Sequence, residues 1–257
     1  MTRVLVVTAV TAEAEAVGAG LRSRLPAVRP EPLPGGRSLL RYSAGPEAAA
    51  GPLVDVLAAG VGPSAAAAGA AGALTAASLA GSPYRLVLSA GIGGGFATGP
   101  GHRPHAPVGS VVLAEPIVAA DLGAETPEGY LSVDELGFGR SAHPPPAGLT
   151  GRFREALAGH PEPVLAAPVL TVSTVTGSAR RAAELSDRHP GAGAEAMEGF
   201  GVAEAAAAHG LPVSELRTIS NPVGPRDRDA WQIGRALESL RLAFQLLTPA
   251  IIEEDPR

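Results

Sequence analysis

The chain has 257 residues, enough for an α/β unit with a full hydrophobic core, and its formal net charge is −5. This acidic balance, with arginines scattered rather than clustered, argues against a protein that binds the phosphate backbone of nucleic acids. The absence of Cys excludes disulfides, thiolate metal ligands and a cysteine nucleophile.

The first element is a near-continuous apolar run at residues 3–10, typical of a strand that is covered on both faces. It lacks the basic flank and cleavage pattern of a signal peptide, and no run in the chain reaches the length of a bilayer span. The chain is therefore expected to be cytoplasmic and to have no membrane partner. A helix is predicted to follow directly, with Thr11 as its N-cap.

The rest of the first half continues this alternation of strands and helices. Residues 26–34 are predicted to be a loop, and an Ala-rich helix capped by Ser64 is predicted to run to about Ala80. Further strands are predicted, in chain order, at residues 37–42 (a short edge strand), 53–59, 84–90 and 109–114. The glycine-rich residues 91–95 are predicted to form a turn.

In the second half, prolines interrupt residues 115–148, which are predicted to be irregular. Helices are predicted at residues 152–157, 179–187, 197–209 and 230–247, and strands at residues 169–175 and 213–220. No internal repeat and no separating linker is visible, so one domain is expected over residues 1–257. The alternation of elements predicts a three-layer α/β/α sandwich with a largely buried sheet.

Glu198 lies at the predicted start of a helix, and Gly199 and Gly201 follow it inside the helical pattern. Each glycine costs about 1 kcal/mol relative to Ala in a helix interior. Two such residues beside a carboxylate indicate either close approach of a ligand to the backbone or a tight helix crossing. A purely structural alternative is that Glu198 stabilises the helix N-terminus through the macrodipole.

Asn221 follows the predicted strand at residues 213–220, because Pro222 is not expected to continue the hydrogen-bond ladder. Ligands in open α/β sheets gather at the carboxyl ends of strands. The amide offers an NH₂ donor and a C=O acceptor and does not titrate. The structural alternative is an Asx-turn at the strand exit.

Glu13 lies one turn into the first helix, and Glu15 is its near competitor for any role at that strand-to-helix junction. The structural alternative for Glu13 is favourable electrostatics at the helix N-terminus. The glycine-rich turn could bind phosphate through its amides, but it lacks the Lys-Ser/Thr of a P-loop, and a bare tight turn is the alternative. His102 and His105 lie in a Gly/Pro loop without the carboxylate pattern of zinc enzymes, so no metal site is expected.

In this order and spacing, these segments resemble the nucleoside phosphorylase and nucleosidase superfamily, and in particular its futalosine hydrolase branch. The resemblance spans most of the chain. It includes Glu13, the glycine-rich turn, residues 195–199 (Glu-Ala-Met-Glu-Gly), Ser220-Asn221 and the branch signature at residues 121–130. It implies a three-layer α/β/α sandwich with a central mixed, mostly parallel sheet, and a homodimer or higher homo-oligomer in which residues 122–130 reach the neighbouring site.

The resemblance also implies roles for the candidate residues. Glu13, or Glu15 if the register shifts by two, would activate the attacking water. Glu198 would bind the ribose 2′- and 3′-hydroxyls, and Met197 would lie under the sugar. Asn221 stands where adenine-cleaving relatives have Asp, so its NH₂ would serve O6 or N7 of a 6-oxopurine.

The remaining contacts implied by the resemblance surround the base. Main-chain groups of Ile92, Gly93 and Gly94 would pass beside the base and sugar. Thr174, Val175 and Thr176 fall where relatives place a Phe-Ile pair against the base, so the aromatic contact is missing there. Phe200 or Trp231 is the alternative source of a stacking contact, although both residue types are usually found in cores.

The resemblance implies hydrolysis of futalosine to hypoxanthine and dehypoxanthine futalosine in menaquinone biosynthesis, with no metal or organic cofactor. The substrate carboxylate would bind a cation at residues 226–231, or Arg140, or Arg152. A phosphorylase of 6-oxopurine nucleosides is one alternative, but only Arg85 and Arg103 lie near the glycine-rich turn. Other purine nucleosidases, acting on inosine or methylthioadenosine, and a non-catalytic nucleoside-binding protein are the further alternatives.

Overall fold

The computed structural model of the protein describes residues 2–45, 51–96 and 106–253. His102, His105 and Arg103 lie outside the described residues. The elements follow one another in the order β1 (Arg3–Thr8), α1 (Thr11–Leu21), β2 (Ala27–Pro32), β3 (Ser38–Ser43), β4 (Leu53–Ala58), α2 (Pro63–Leu79), β5 (Leu86–Gly95), β6 (Val111–Ala119), β7 (Gly123–Thr126), β8 (Gly129–Ser132), β9 (Ala142–His143), α3 (Leu149–Ala156), β10 (Val164–Thr171), α4 (Ala179–Arg188), β11 (Ala194–Ala196), α5 (Gly199–Ala208), β12 (Val213–Pro222) and α6 (Ile233–Ile252).

The strands build a ten-stranded mixed sheet, with β7 and β8 forming a separate hairpin. Its centre is parallel: β1 pairs with β4 and β5, and β5 pairs with β12. Antiparallel β3 and β2 extend one side. On the other side β12 pairs antiparallel with β6, which is followed by parallel β10 and β11. A further antiparallel pairing joins β11 to β5. It closes five strands into a ring, in the order β5, β12, β6, β10 and β11.

Helices cover both faces of this sheet, as the apolar run of β1 predicts. Val4 and Val6 pack into the core beneath α1, α3 and α6, whereas Leu5 and Val7 pack into the core beneath α2 and α5. Successive side chains of a strand point to opposite faces, so only a continuous apolar run satisfies both cores. The three-layer α/β/α architecture with a mixed sheet is confirmed. Among the described residues, no helix combines the length and apolarity needed to cross a membrane.

The prediction of a turn at residues 91–95 is wrong, because these residues continue β5. β12 pairs with β5 as far as Gly95, and β11 pairs with Gly94 and Gly95. The glycines serve close packing rather than a turn: a Cβ at Gly93 would lie 2.7 Å from the Glu195 carbonyl oxygen. A local glycine pattern does not distinguish these two uses.

Other element boundaries also differ from the sequence predictions. Residues 27–32, predicted as loop, form the edge strand β2, where prolines are tolerated because no ladder lies beyond them. The irregular stretch at 115–148 contains the end of β6, the β7–β8 hairpin and β9. The short strand β11 was not predicted, β10 ends at Thr171, and β12 continues through Asn221 and Pro222.

The predicted helix caps are also displaced by a residue or two. The N-caps of α1 and α2 are Val10 and Gly62, so Thr11 and Ser64 lie inside their helices. Pro63 occupies the first position of α2, where its missing N–H costs nothing.

Candidate active site

A cavity of about 280 Å³ lies at the carboxyl ends of β1, β5 and β12. Its size is close to the lower end of the range for small-molecule sites, about 300–1,000 Å³. Nine of the ten site residues predicted from the sequence line it, from positions more than two hundred residues apart in the chain: Glu13, Ile92, Gly93, Gly94, Val175, Thr176, Met197, Glu198 and Asn221. The tenth, Thr174, is exposed and does not line the cavity.

Glu13 joins two of the strands that form the cavity. One carboxylate oxygen accepts hydrogen bonds from the backbone N–H groups of Ala9 (2.9 Å) and Val10 (3.2 Å), and the other accepts from Ile92 N–H (2.8 Å). The bond to Val10 is that of a third helical residue reaching back to its N-cap, so the structural role expected at the helix start is real. The bond to Ile92 is additional, because it reaches across to β5. Glu15 is exposed and does not line the cavity.

Burial raises the pKa of the Glu13 carboxyl above its ordinary value. The positive charge of Arg217 and the hydrogen bond from Ile92 act in the opposite direction, and the negative charge of Glu198 adds to the increase. Burial prevails because an ionised carboxylate loses its hydration inside the protein. Glu13 is thus a stronger base than an exposed glutamate and still has fixed hydrogen-bond partners.

Gly91 makes room for this carboxylate. A Cβ at this position would lie 2.5 Å from Glu13 Oε1 and 2.7 Å from Arg217 Nη1. Only glycine therefore leaves room at this position of β5 for both charged groups, Glu13 from α1 and Arg217 from β12.

Glu198 is the N-cap residue of α5, but its side chain does not cap that helix. One oxygen accepts a hydrogen bond from the backbone N–H of Gly62 at the start of α2 (3.1 Å), and the other lies 3.1 Å from Nη1 of Arg217. The carboxylate is therefore placed at the positive end of a different helix from the one expected. Its side chain is only 6% exposed.

The two glycines after Glu198 have a packing explanation. A Cβ at Gly199 would collide with the carboxylate of Glu215, and one at Gly201 would collide with the backbone carbonyl of Pro63 at the start of α2. Of the two interpretations left open by the sequence, the tight helix crossing is the one the contacts support. The backbone of α5 approaches the Glu215 carboxylate at Gly199 and the start of α2 at Gly201.

Arg217 and Glu215, on β12, complete the charge network and were missed by the sequence predictions. Arg217 is 1% exposed; it donates from Nε to Glu215 (2.8 Å) and from Nη2 to the Ser89 hydroxyl (3.0 Å), in addition to its ion pair with Glu198. The relevant signal was present, since charged residues inside an otherwise buried strand require buried partners. Three carboxylates, including that of Glu13, thus surround one guanidinium.

The charges in this network act strongly on one another. Burial acts to lower the pKa of Arg217, but the carboxylates of Glu215, Glu198 and Glu13 outweigh it and raise that pKa. Burial raises the pKa of Glu215, against the effect of Arg217. The second carboxylate oxygen of Glu215, Oε2, has no hydrogen-bond partner among the described residues. Arg217 remains charged and holds the carboxylates in place.

Glu195, also missed, fixes one wall of the cavity. Its carboxylate accepts hydrogen bonds from the backbone N–H (2.8 Å) and the hydroxyl of Thr176. This pair ties the segment after β10 to β11 and brings Val175 and Thr176 to the cavity. Burial raises the pKa of Glu195, while the two bonds from Thr176 act to lower it.

Asn221 has a defined amide orientation at the end of β12. Its Nδ2 donates to the carbonyl oxygen of Pro222 (2.9 Å), and its Oδ1 accepts from the Ser220 hydroxyl (2.7 Å). A carbonyl oxygen only accepts, so the NH₂ must be the group that faces Pro222. These bonds are not those of the Asx-turn offered as the structural alternative, because Oδ1 accepts from the Ser220 hydroxyl and the N–H of Val223 donates to Gly95 instead. The second N–H and a lone pair of Oδ1 have no further partner in the described part of the chain.

Of the two alternative aromatic residues, Trp231 lines the cavity. Phe200 is buried beside His143, with ring centroids 5.2 Å apart, and does not line it. A stacking contact at this site can therefore come from Trp231.

Comparison with known proteins shows the family to which the chain belongs. The family model of the phosphorylase superfamily matches residues 3–252. The chain is 60% identical to a futalosine hydrolase of Streptomyces coelicolor over 77% of this chain and 79% of that protein. It is 42% identical to a futalosine hydrolase of Acidothermus cellulolyticus over 96% of this chain and 90% of that protein.

A solved structure shows the same fold. A futalosine hydrolase mutant of Helicobacter pylori aligns with a TM-score of 0.76 at 15% identity, covering 97% of this chain and 100% of the other. At 15% identity this likeness shows the fold alone. The family is shown by the family model and by the two sequence relatives. The chain therefore belongs to the phosphorylase superfamily and, within it, to the futalosine hydrolase family.

Proposed function

We propose that the protein is an N-glycosyl hydrolase that cleaves futalosine to hypoxanthine and dehypoxanthine futalosine, a step of menaquinone biosynthesis. The observation that carries this proposal is the meeting of Glu13, Glu198 and Asn221 in one cavity. They come from three distant segments and supply a base, a hydroxyl-binding carboxylate and a neutral amide. Family membership supports the choice of substrate.

Asn221 is the proposed partner of the departing base. As the C1′–N9 bond breaks with oxocarbenium character, negative charge develops on the purine. The second N–H of Asn221 can donate to N7 or O6 and stabilise that charge. The amide does not titrate, so hypoxanthine leaves as an anion and takes its proton from solvent, to which Glu13 returns the proton that it removed from the attacking water.

Glu198 is the proposed ribose ligand. Its carboxylate is held by Gly62 N–H and Arg217, so it is already oriented before a sugar binds. Two adjacent hydroxyls can each donate to an ionised carboxylate, and charge-assisted bonds of this kind are stronger than neutral ones. Met197, which lines the same cavity, is proposed to pack under the sugar.

Glu13 is the proposed general base. It takes a proton from water as the water oxygen bonds to C1′ and the electron pair of the C1′–N9 bond moves to the base. Its pKa is raised by burial, which makes the ionised carboxylate more basic. The three backbone bonds fix its direction.

Hydrolysis is favoured over phosphorolysis by the charge of the cavity. A phosphate that replaces the attacking water would need a free cation beside the proposed base and ribose ligand, but the guanidinium there, that of Arg217, is paired with Glu198 and Glu215. Glu13 and Glu195 add further carboxylates to the cavity wall. Water carries no charge and is not repelled by this arrangement.

Chromatographic detection of hypoxanthine after mixing the protein with futalosine, with and without phosphate, tests the proposal. Release without phosphate is the expected result. A requirement for phosphate, with formation of a sugar phosphate, would instead establish the phosphorylase. Binding of futalosine without release would establish the non-catalytic alternative, and release from inosine or methylthioadenosine in preference would establish another nucleosidase.

Three broader features are part of this proposal. A single domain over residues 1–257 is supported by the one main sheet that carries the cavity. A homodimer or higher homo-oligomer is proposed from the family resemblance, and a cytoplasmic location is kept as the proposal made from the sequence. Light scattering after size-exclusion chromatography measures the oligomeric state. Fractionation of cells that express the protein measures the location.

A further inference from the structure

The segment between β12 and α6 carries a cluster of two arginines and one tryptophan. Guanidinium carbons of Arg226 and Arg228 lie 5.3 and 5.9 Å from the ring centroid of Trp231. Both arginines are exposed, and neither forms an ion pair with any described residue. We call Arg226, Arg228 and Trp231 the Arg-Trp rim. Because Trp231 lines the cavity, the Arg-Trp rim adjoins the proposed nucleoside site.

Backbone hydrogen bonds hold the Arg-Trp rim against the cavity walls. The N–H of Arg226 donates to the carbonyl of Gly177 (3.3 Å), which directly follows the lining residue Thr176. At the other end of the segment, Gln232 N–H donates to the carbonyl of Ser220 (2.9 Å), the residue before Asn221. The rim is thus anchored beside two walls of the cavity.

The other cations proposed from the sequence lie elsewhere. Arg140 is 3.8 Å from Glu204, on the part of α5 remote from Glu198, and does not line the cavity. Arg152 lies on α3, which packs against α6, β6 and β10, and does not line the cavity either. The Arg-Trp rim is therefore the candidate that borders the site.

The chemistry of the Arg-Trp rim suits an anionic aromatic group. A guanidinium binds a carboxylate with two parallel hydrogen bonds, and stacking on an indole holds its plane in position. The indole face also accepts an aromatic ring. Asp227 and Asp229 alternate with the arginines, so the segment is neutral overall and acts by direct contact rather than by long-range attraction.

We propose that Arg226 and Arg228, together with Trp231, bind the carboxylate-bearing aromatic substituent of the substrate at the edge of the nucleoside cavity. This inference rests on the proposed function, because futalosine carries such a group and inosine does not. Trp231 lines the cavity and also carries the two stacked arginines, so a substituent that extends from the ribose past Trp231 meets the rim.

The test compares kcat/KM for futalosine and for its methyl ester, in which the carboxylate is neutral. The wild-type protein is expected to prefer futalosine. In the double variant Arg226→Ala/Arg228→Ala this preference is expected to fall about 10- to 100-fold, the effect of losing charge-assisted hydrogen bonds. The Arg226→Lys/Arg228→Lys variant should retain part of the preference, because the charge remains and the paired geometry does not.

Arg29→Ala is the control, because it removes one positive charge, as each of the two rim substitutions does, from an exposed arginine on the edge strand β2, far from the cavity. It should leave the ratio of the two substrates at the wild-type value. A double variant with an unaltered ratio would show that the Arg-Trp rim does not read the carboxylate, while the proposed function would stand. A wild-type protein that releases hypoxanthine from neither substrate would overturn the function and the rim together.

Discussion

Glu198 and Arg217 form an ion pair at 3.1 Å, with side chains only 6% and 1% exposed. Breaking a buried pair by removing one partner is strongly destabilising, by about 3–5 kcal/mol, because an uncompensated charge remains. Arg217 keeps a second partner in Glu215, so the network is shared rather than isolated. The carboxylate proposed to bind ribose is therefore fixed by the protein before substrate arrives.

Glu198→Gln should impair both substrate binding and turnover. The amide keeps the shape but cannot accept two charge-assisted bonds from the ribose hydroxyls, and its NH₂ must face one of two donors, the Gly62 N–H or the guanidinium of Arg217. We expect kcat/KM for futalosine to fall by at least about 100-fold, with KM raised and kcat lowered. Steady-state kinetics measure this, and thermal unfolding separates it from loss of fold. An unchanged KM would contradict the proposed ribose contact.

Glu13→Gln should mainly lower turnover. Glutamine can still accept a backbone hydrogen bond, but it cannot take a proton from water, so kcat is expected to fall about 10²- to 10⁴-fold with little change in KM. Glu15→Gln is the control, because Glu15 is exposed and outside the cavity. A slow Glu15 variant beside a fully active Glu13 variant would move the base to Glu15.

The pH dependence of kcat/KM should show an acidic limb caused by Glu13. Its folded-state pKa is raised by burial, so the carboxyl becomes protonated, and inactive as a base, at a pH above the ordinary glutamate value. The rate is therefore expected to fall as pH is lowered through that raised pKa. A limb at or below the ordinary pKa of glutamate, about 4.3, would contradict this assignment.

Ionisation of Glu13 affects stability and activity in opposite directions: activity falls as pH is lowered, whereas stability falls as pH is raised. A folded-state pKa above the unfolded value means that the stabilising contribution is fully present at low pH and is lost as pH rises through the raised pKa. The titrations of Glu195 and Glu215 act in the same direction, since burial raises their pKa values as well. Loss of activity on the acidic limb should thus occur with the circular dichroism spectrum unchanged.

Asn221→Asp should relax the preference for 6-oxopurines. The carboxylate can still accept the Ser220 hydroxyl bond, but it replaces the NH₂ donor with an acceptor for an exocyclic amino group. The ratio of kcat/KM for inosine to that for adenosine is expected to fall at least about tenfold. The Asn221→Ala variant, which removes both functions, is the control for general damage. An unaltered ratio in the Asp variant would rule out Asn221 as the discriminating group.

Gly91→Ala should disrupt the charge network even though the added group is a single methyl. The new Cβ would lie within 2.7 Å of both Glu13 and Arg217 side-chain atoms, which have no freedom to retreat. We expect a loss of about 1–3 kcal/mol in the free energy of unfolding, together with lower kcat. Denaturant unfolding and steady-state kinetics measure the two effects.

Gly72→Ala is the matched control for this substitution. Gly72 lies in α2, and a Cβ there would have no atom within 4 Å. Because glycine is a poor helix former, this change is expected to stabilise the protein by about 1 kcal/mol. Equal effects of the two substitutions would show that the contacts of Gly91 are unimportant.

Most of the architecture could be predicted from local patterns. The apolar run of β1 required burial on both faces, and the periodic Ala-rich segments required helices to cover them. The same patterns placed Glu13 at a strand-to-helix junction and Asn221 at a strand end. The structure brings both to one cavity with Glu198. Their catalytic roles remain predictions.

Tertiary structure alone decided the features that depend on partners distant in sequence. Whether residues 91–95 turn or continue as a strand depended on β11 and β12 lying on either side, which no local glycine pattern contains. The buried charge of Arg217 is tolerable only because Glu198 and Glu215 meet it in three dimensions. Local propensity acts over a few neighbouring residues, whereas the compensation of a buried charge depends on the full set of groups around it.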